Sequence, residues 1–136
     1  MNFHITYRPE VGIARILFYG TVGLAERMEA VGIVAEKFQH RTPLRLLVDL
    51  RYARSVIAPE EQRRLGRFLA EHPVLGRAHI AVLYSRNRYS SLMVASEAKS
   101  RGHSSREFDI EAEAEAWLLQ TKDESPSLAS RLSVTA

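Results

Sequence analysis

The sequence predicts an α/β fold: a single mixed sheet of about five strands, opened by an antiparallel hairpin and continued by parallel strands through helical crossovers, with about four helices. Three observations predict it. Two runs with strand character come first; from residue 24 onward, segments of helical and strand character alternate; and 136 residues suffice for one core but not comfortably for two. With 46% hydrophobic and 26% charged residues, seven Gly and five Pro, the composition excludes wholesale disorder and fibrous classes.

Asn2 to Tyr7 alternates polar and apolar, so Phe3, Ile5 and Tyr7 face one side of a half-buried strand. Pro9, Glu10 and Gly12 mark a turn. Ile13 to Tyr19 is β-branched and aromatic, pairs with the first run as a hairpin, and is prolonged by Thr21 and Val22. At Leu24 the period changes: Leu24, Met28, Val31, Ala35 and Phe38 recur at helical steps, until Thr42 and Pro43 end the helix. Leu44 to Leu50 (LRLLVDL) is a short, mainly apolar stretch with β-branched content, which predicts a central strand buried on both faces.

Pro59, Glu60 and Glu61 start a second helix, because proline suits the first helical position and acids complement the positive end of the helix dipole. Leu65, Phe68 and Leu69 are its buried face, and Pro73 stops it. His79 to Tyr84 is the next buried strand. Ser90 or Ser91 caps a third helix that runs to about Arg101, with Gly102 in the left-handed closing position. Glu107 to Ile110 is expected as a short edge strand. The final helix, Glu111 to Gln120, is expected to bury Ala112, Ala116 and Leu119 on one face, with Trp117 as its largest anchor. Residues 1–121 thus form the domain, and the small, polar residues 122–136 are expected as a disordered tail.

The chain has no Cys, hence no disulfide, thiolate metal site or cysteine nucleophile. The opening MNFHITYRPE lacks the basic and apolar stretches of a signal peptide. No apolar run approaches the roughly 20 residues that span a bilayer, and a soluble, cytoplasmic protein is expected. The net charge of +3 is unevenly spread: residues 41–67 hold seven Arg against three acids, whereas residues 107–136 hold two basic residues against seven acids.

The order of elements, together with three local features, resembles the SpoIIAA-like families of the STAS superfamily, the anti-sigma-factor-antagonist fold related to Sec14-type lipid-binding modules. The features are Gly20-Thr21-Val22 leading into the first helix, Leu46-Leu47-Val48-Asp49 as a strand ending in an acid, and Arg106-Glu107-Phe108-Asp109 followed by Glu115-Ala116-Trp117-Leu118. The resemblance covers roughly residues 3–120 and implies a non-enzymatic regulatory module that binds a partner protein. Phosphorylation-switched members carry Ser or Thr followed by Gly at the start of the helix after the acid-ended strand. This chain has Ile57-Ala58-Pro59-Glu60-Glu61 there, and its nearest hydroxyl, Ser55, lies in the preceding loop.

In such sheets ligands gather beyond the carboxyl ends of parallel strands. The loops expected there offer Asp49, Arg51, Tyr52, Arg54 and Ser55 after one strand and Ser85, Arg86, Asn87 and Arg88 after the next. Arg forks and free N–H groups at a helix start match phosphate or carboxylate oxygens, so these residues are the candidate anion or partner site. A generic reading, with solvated arginines and Ser or Asn as helix caps, competes with it.

The five His have no metal-ligand spacing, and no nucleophile elbow, Walker loop or dinucleotide fingerprint is present, so neither metal, cofactor nor enzyme activity is expected. The basic residues do not interleave with aromatics in an RNA-binding signature, and nucleic acid is not expected as a partner. A protein partner is the first expectation. The alternative is a small-molecule binder, taking an anionic metabolite at the Arg loops or a lipid or acyl chain under the first helix. The edge of the first hairpin permits a homodimer without requiring one.

Overall fold

In the computed structural model, which describes residues 2–85 and 92–121, the elements follow in the order β1 (Phe3–Arg8), β2 (Ile13–Val22), α1 (Leu24–Lys37), β3 (Arg45–Ser55), α2 (Pro59–Glu71), β4 (His79–Leu83), α3 (Leu92–Ser100), β5 (Ser104–Phe108) and α4 (Glu111–Gln120). The five strands form one sheet in sequence order. β1 and β2 are antiparallel, with Phe3 opposite Phe18 and Arg8 opposite Ile13; β2, β3, β4 and β5 are parallel. β3 is therefore central, as its apolar run requires.

Three successive crossovers of one hand place α1, α2 and α3 on the same face. Ala30 and Val31 of α1, Leu65 and Leu69 of α2 and Val94 of α3 pack there on Ile16, Phe18, Leu46, Val48, Ile80 and Val82. α2 and α3 lie so close that a Cβ on Gly66 would come within 2.6 Å of the Val94 carbonyl oxygen. α4 lies alone on the opposite face. There Ala114 and Leu118, flanked by Trp117, cover Leu47, Ala81, Leu83 and Phe108.

The helix starts follow local chemistry. Pro59 is the first residue of α2, and Glu61 accepts the Ala58 N–H at 3.0 Å; Glu26 likewise accepts the Gly23 N–H at 2.8 Å ahead of α1. Gly102, at φ 83°, turns the chain out of α3, and the His103 N–H bonds back to the Ala98 carbonyl at 3.0 Å.

Three expectations are corrected. β5 begins at Ser104 rather than Glu107, because Ser104 and Ser105 pair with His79 and Ile80 as soon as Gly102 reverses the chain. α4 buries Ala114 and Leu118, whereas Ala112, Ala116 and Leu119 face outward, Leu119 with 51% of its surface exposed. The apolar run Trp117-Leu118-Leu119 suits more than one helical phase, and ionic partners, described below, select this one. Finally, Arg51, Tyr52, Arg54 and Ser55 do not lie in a loop. They continue β3, with Arg51 at a register shift and Tyr52 to Ser55 paired with Tyr19 to Val22 of β2. The expected cap at Ser90 or Ser91 and the tail 122–136 lie outside the described residues. No helix among the described residues is long and apolar enough to cross a membrane.

Candidate functional site

At the carboxyl end of the sheet the β2–β3 ladder outruns β4, whose pairing with β3 stops at Asp49–Leu83. The extension carries a register shift: from Leu17–Asp49 to Tyr19–Tyr52 the ladder advances two residues in β2 but three in β3. A bulge of this kind changes which side chains point to which face. It sets Tyr52 beside Tyr19 on the α4 face while Ala53 turns into the core under α1. Tyr52 is 62% exposed and Tyr19 44%; Val56, just past the strand, is 52% exposed.

Asp49 occupies a different position from the one its place at a strand end suggested. Its side chain has no exposed surface and is held by two arginines. Arg15 Nη2 donates to Oδ2 at 2.6 Å; Arg51 donates through Nη2 to Oδ2 at 2.8 Å, through Nε to Oδ1 at 3.0 Å, and through its backbone N–H to Oδ1 at 3.0 Å. The same guanidinium groups reach Glu111 at the first turn of α4, Arg15 at 2.7 Å and Arg51 at 2.9 Å. Two carboxylates and two guanidinium groups thus form a closed, charge-balanced cluster.

The cluster sets the titration of its members. The hydrogen bond from Arg15 holds the Glu111 carboxyl below the usual carboxylate range, against the effect of partial burial. Burial by itself would lower Arg15, and the hydrogen bond and charge of Glu111, aided by Asp49, more than offset it. Arg51 is raised above the ordinary arginine value, first through its hydrogen bonds to Asp49. Arg51 also stacks over the Tyr52 ring, with Cζ 5.4 Å from the centroid, which couples the interior cluster to the exposed tyrosine.

Among the other sequence candidates, Arg54 is exposed and makes no ion pair with another described residue. Ser55 is half-buried, and its Oγ is sealed from solvent without a hydrogen-bond partner among the described residues. Ser85 donates to the Arg51 carbonyl at 3.3 Å. The fold therefore brings Asp49, Arg51 and Ser85 together and leaves Arg54 outside the cluster. Arg86, Asn87 and Arg88 lie outside the described residues.

No model of a known protein family matches the chain, and no curated protein matches it.

Two features escaped the sequence reading. Tyr19 and Tyr52 are 33 residues apart in sequence, and only the strand register makes them neighbours. Arg27 of α1 is 4% exposed and sits at a cavity beneath the helix. Its signal was present: Arg27, Ala30, Val31, Val34 and Ala35 recur at steps of three and four and are the buried stripe of α1. Burial lowers the Arg27 guanidinium to about 10, so it stays cationic at neutral pH.

Proposed function

We propose that this chain is a non-enzymatic, STAS-like interaction module that docks a partner protein through the aromatic end of its sheet. The observation that carries the reading is the exposed Tyr19–Tyr52 pair, flanked by Val56 and the cation of Arg54. Tyrosine and arginine are the residue types that dominate binding energy at protein interfaces, because each offers a large contact area together with directional polar atoms. Their support is stiff. β2 and β3 are bonded to each other along the whole extension, and the Asp49 cluster holds Arg51 against the Tyr52 ring. The partner suited to this surface offers an apolar depression for the tyrosines and a carboxylate for Arg54.

The STAS-like assignment is supported by the strand and helix order. The switching chemistry of phosphorylated members has no counterpart in the second helix, whose first turn lacks a hydroxyl, and the Ser55 Oγ is buried. The test is affinity capture from extracts of the source cell with wild type, Tyr52→Ala and Arg54→Glu, and with Arg77→Ala at a remote exposed position. The expected result is a partner held by wild type and Arg77→Ala and lost by the other two. Equal capture by all four overturns the proposal.

A second reading, a small-molecule binder, is favoured by one specific observation. The cavity beneath α1 is apolar except for Arg27 and Ser105, which is the arrangement of a site that holds an apolar body and fixes one polar end.

A further inference from the structure

The sheet has two outer edges, and the chain treats them differently. β5 carries the charged residues Arg106 and Glu107 within its span, the usual guard against pairing with another strand. β1 has no such guard. From Phe3 to Tyr7 it carries no Lys, Arg, Asp, Glu or Pro, and its register against β2 runs from Phe3–Phe18 to Arg8–Ile13 without a bulge.

The direction of its open backbone groups follows from one bond. The Tyr19 N–H donates to the Asn2 carbonyl at 3.0 Å, so Asn2 and, at every second residue, His4, Thr6 and Arg8 turn their backbone groups toward β2. Phe3, Ile5 and Tyr7 turn theirs outward, where no described residue hydrogen-bonds to them. The side chains of these three pack into the core beneath α1, whereas His4 and Thr6 lie on the other face and are exposed.

Such an edge accepts a further strand, and this one is complementary to itself. About a two-fold axis at Ile5, Phe3 faces Tyr7 of a second copy, Ile5 faces Ile5, and Tyr7 faces Phe3. Each pair exchanges both of its N–H···O bonds, and opposite residues point to the same face. His4 then stands beside Thr6 of the second copy and Arg8 beside its Asn2, so no like charges meet. α1 packs on β1, and the same axis brings it alongside its copy in the antiparallel direction. The first turn of one helix, with Glu26, is then level with the last turn of the other, with Lys37, and the two helix dipoles run in opposite directions.

We propose that two copies of this chain pair β1 to β1 about a two-fold axis at Ile5, joining their sheets into one continuous sheet with the two α1 helices side by side on one face.

The test uses the full chain, whose lack of Cys makes an introduced cysteine its only thiol. Analytical ultracentrifugation at micromolar concentrations is expected to show wild type as a dimer and Ile5→Pro as a monomer. The Ile5 N–H points away from β2, so the proline removes a bond between copies and leaves those of the hairpin in place. In the proposed register the Cα atoms of His4 and of Thr6 in the second copy are about 4.5 Å apart, within disulfide reach, whereas the two copies of His4 lie diagonally at about 7–8 Å. An oxidised mixture of the His4→Cys and Thr6→Cys variants is therefore expected to give mainly the mixed disulfide dimer, with either variant alone linking far more slowly. Wild type that stays monomeric at every concentration overturns the proposal, and so does a dimer in which the mixture crosslinks no faster than either variant alone. The crosslinking decides the matter even where Ile5→Pro does not fold.

Discussion

On one face of the sheet three helices lie over a broad apolar interior; on the other, a single ten-residue helix is tied down by arginines at both ends. Arg15 and Arg51 grip Glu111 at the start of α4. Arg45 closes its end, donating from Nε to the Leu118 carbonyl at 2.7 Å and from Nη2 to the Thr121 carbonyl at 2.7 Å. Arg8 adds a bond to Glu115 at 3.2 Å. Burial is non-directional, so it holds α1, α2 and α3 against the sheet without dictating each contact. α4 offers only Ala114, Leu118 and the flank of Trp117 to its core. Its rotation is fixed instead by where its carboxylates find cations. Glu111, Ala114, Glu115 and Leu118, at steps of three and four, share the face turned to the sheet.

The contrast is broken most directly at Asp49. Asp49→Ala leaves two guanidinium groups facing a cavity with only Glu111 to answer them, and we expect a loss of roughly 3–5 kcal/mol, the usual cost of breaking a buried ion pair on one side. Because Asp49 is fully buried, urea midpoints of the variant and wild type should differ by nearly the same amount in low and high salt. A salt-dependent difference would mean that the cluster is solvated.

Leu65→Ala, on the opposite face, is expected to cost roughly 2–5 kcal/mol, most of it from the cavity created. Hydrogen exchange separates the two variants. Asp49→Ala should loosen the α4 amides ahead of the rest, whereas Leu65→Ala should lower protection in α1, α2 and α3 together. Identical patterns would show that the two faces do not differ in how they are held.

Arg45→Ala is expected to cost about 1.5–3 kcal/mol, the range for hydrogen bonds made by a charged group, and to fray the last turn of α4 in the same exchange experiment.

The smallest effect is that of pH, and it too divides by face. His103, under α3, has a pKa held below 6.5 by burial, so between its unfolded and folded values only the unfolded chain takes up the proton. Stability therefore declines as pH falls below about 6.5. Glu111 is depressed below 4.5, and its contribution, present above that value, is lost as pH falls through its lower folded value. Glu107, raised by burial, works against this second decline. Urea midpoints measured from pH 7.5 to 3 should fall in two stages, the first absent in His103→Gln and the second reduced in Glu111→Gln.

The faces also differed in how far the sequence disclosed them. Sheet composition and the order of strands and helices along the chain were legible because Leu44 to Leu50 and His79 to Tyr84 are short and mainly apolar and because Pro59, Pro73 and Gly102 punctuate the helices. The phase of α4 was not, since an apolar periodicity is blind to a helix whose orientation is set by Glu111 and Glu115. Of the candidate site, Asp49 and Arg51 were found, but their pairing depends on Arg15, 34 residues before Asp49, and on Glu111, 60 residues beyond Arg51. The Tyr19–Tyr52 pair was out of reach for the same reason. It depends on one extra residue in β3, which leaves no mark on composition or period.

That extra residue makes chain length at this point a quantity the fold counts. If it were paired as an ordinary ladder residue instead of being bulged out, Ala53 would turn outward and Tyr52 and Arg54 would be driven beneath α1, where Phe18 and Val22 already fill the space. Substitutions along the outer side of the extension can alter what the protein meets while the interior stays as it is. Deleting one residue between Asp49 and Tyr52 would remove the bulge and keep Tyr52 opposite Tyr19, whereas inserting one that the ladder absorbed as a regular strand residue would exchange inside for outside over the rest of the strand.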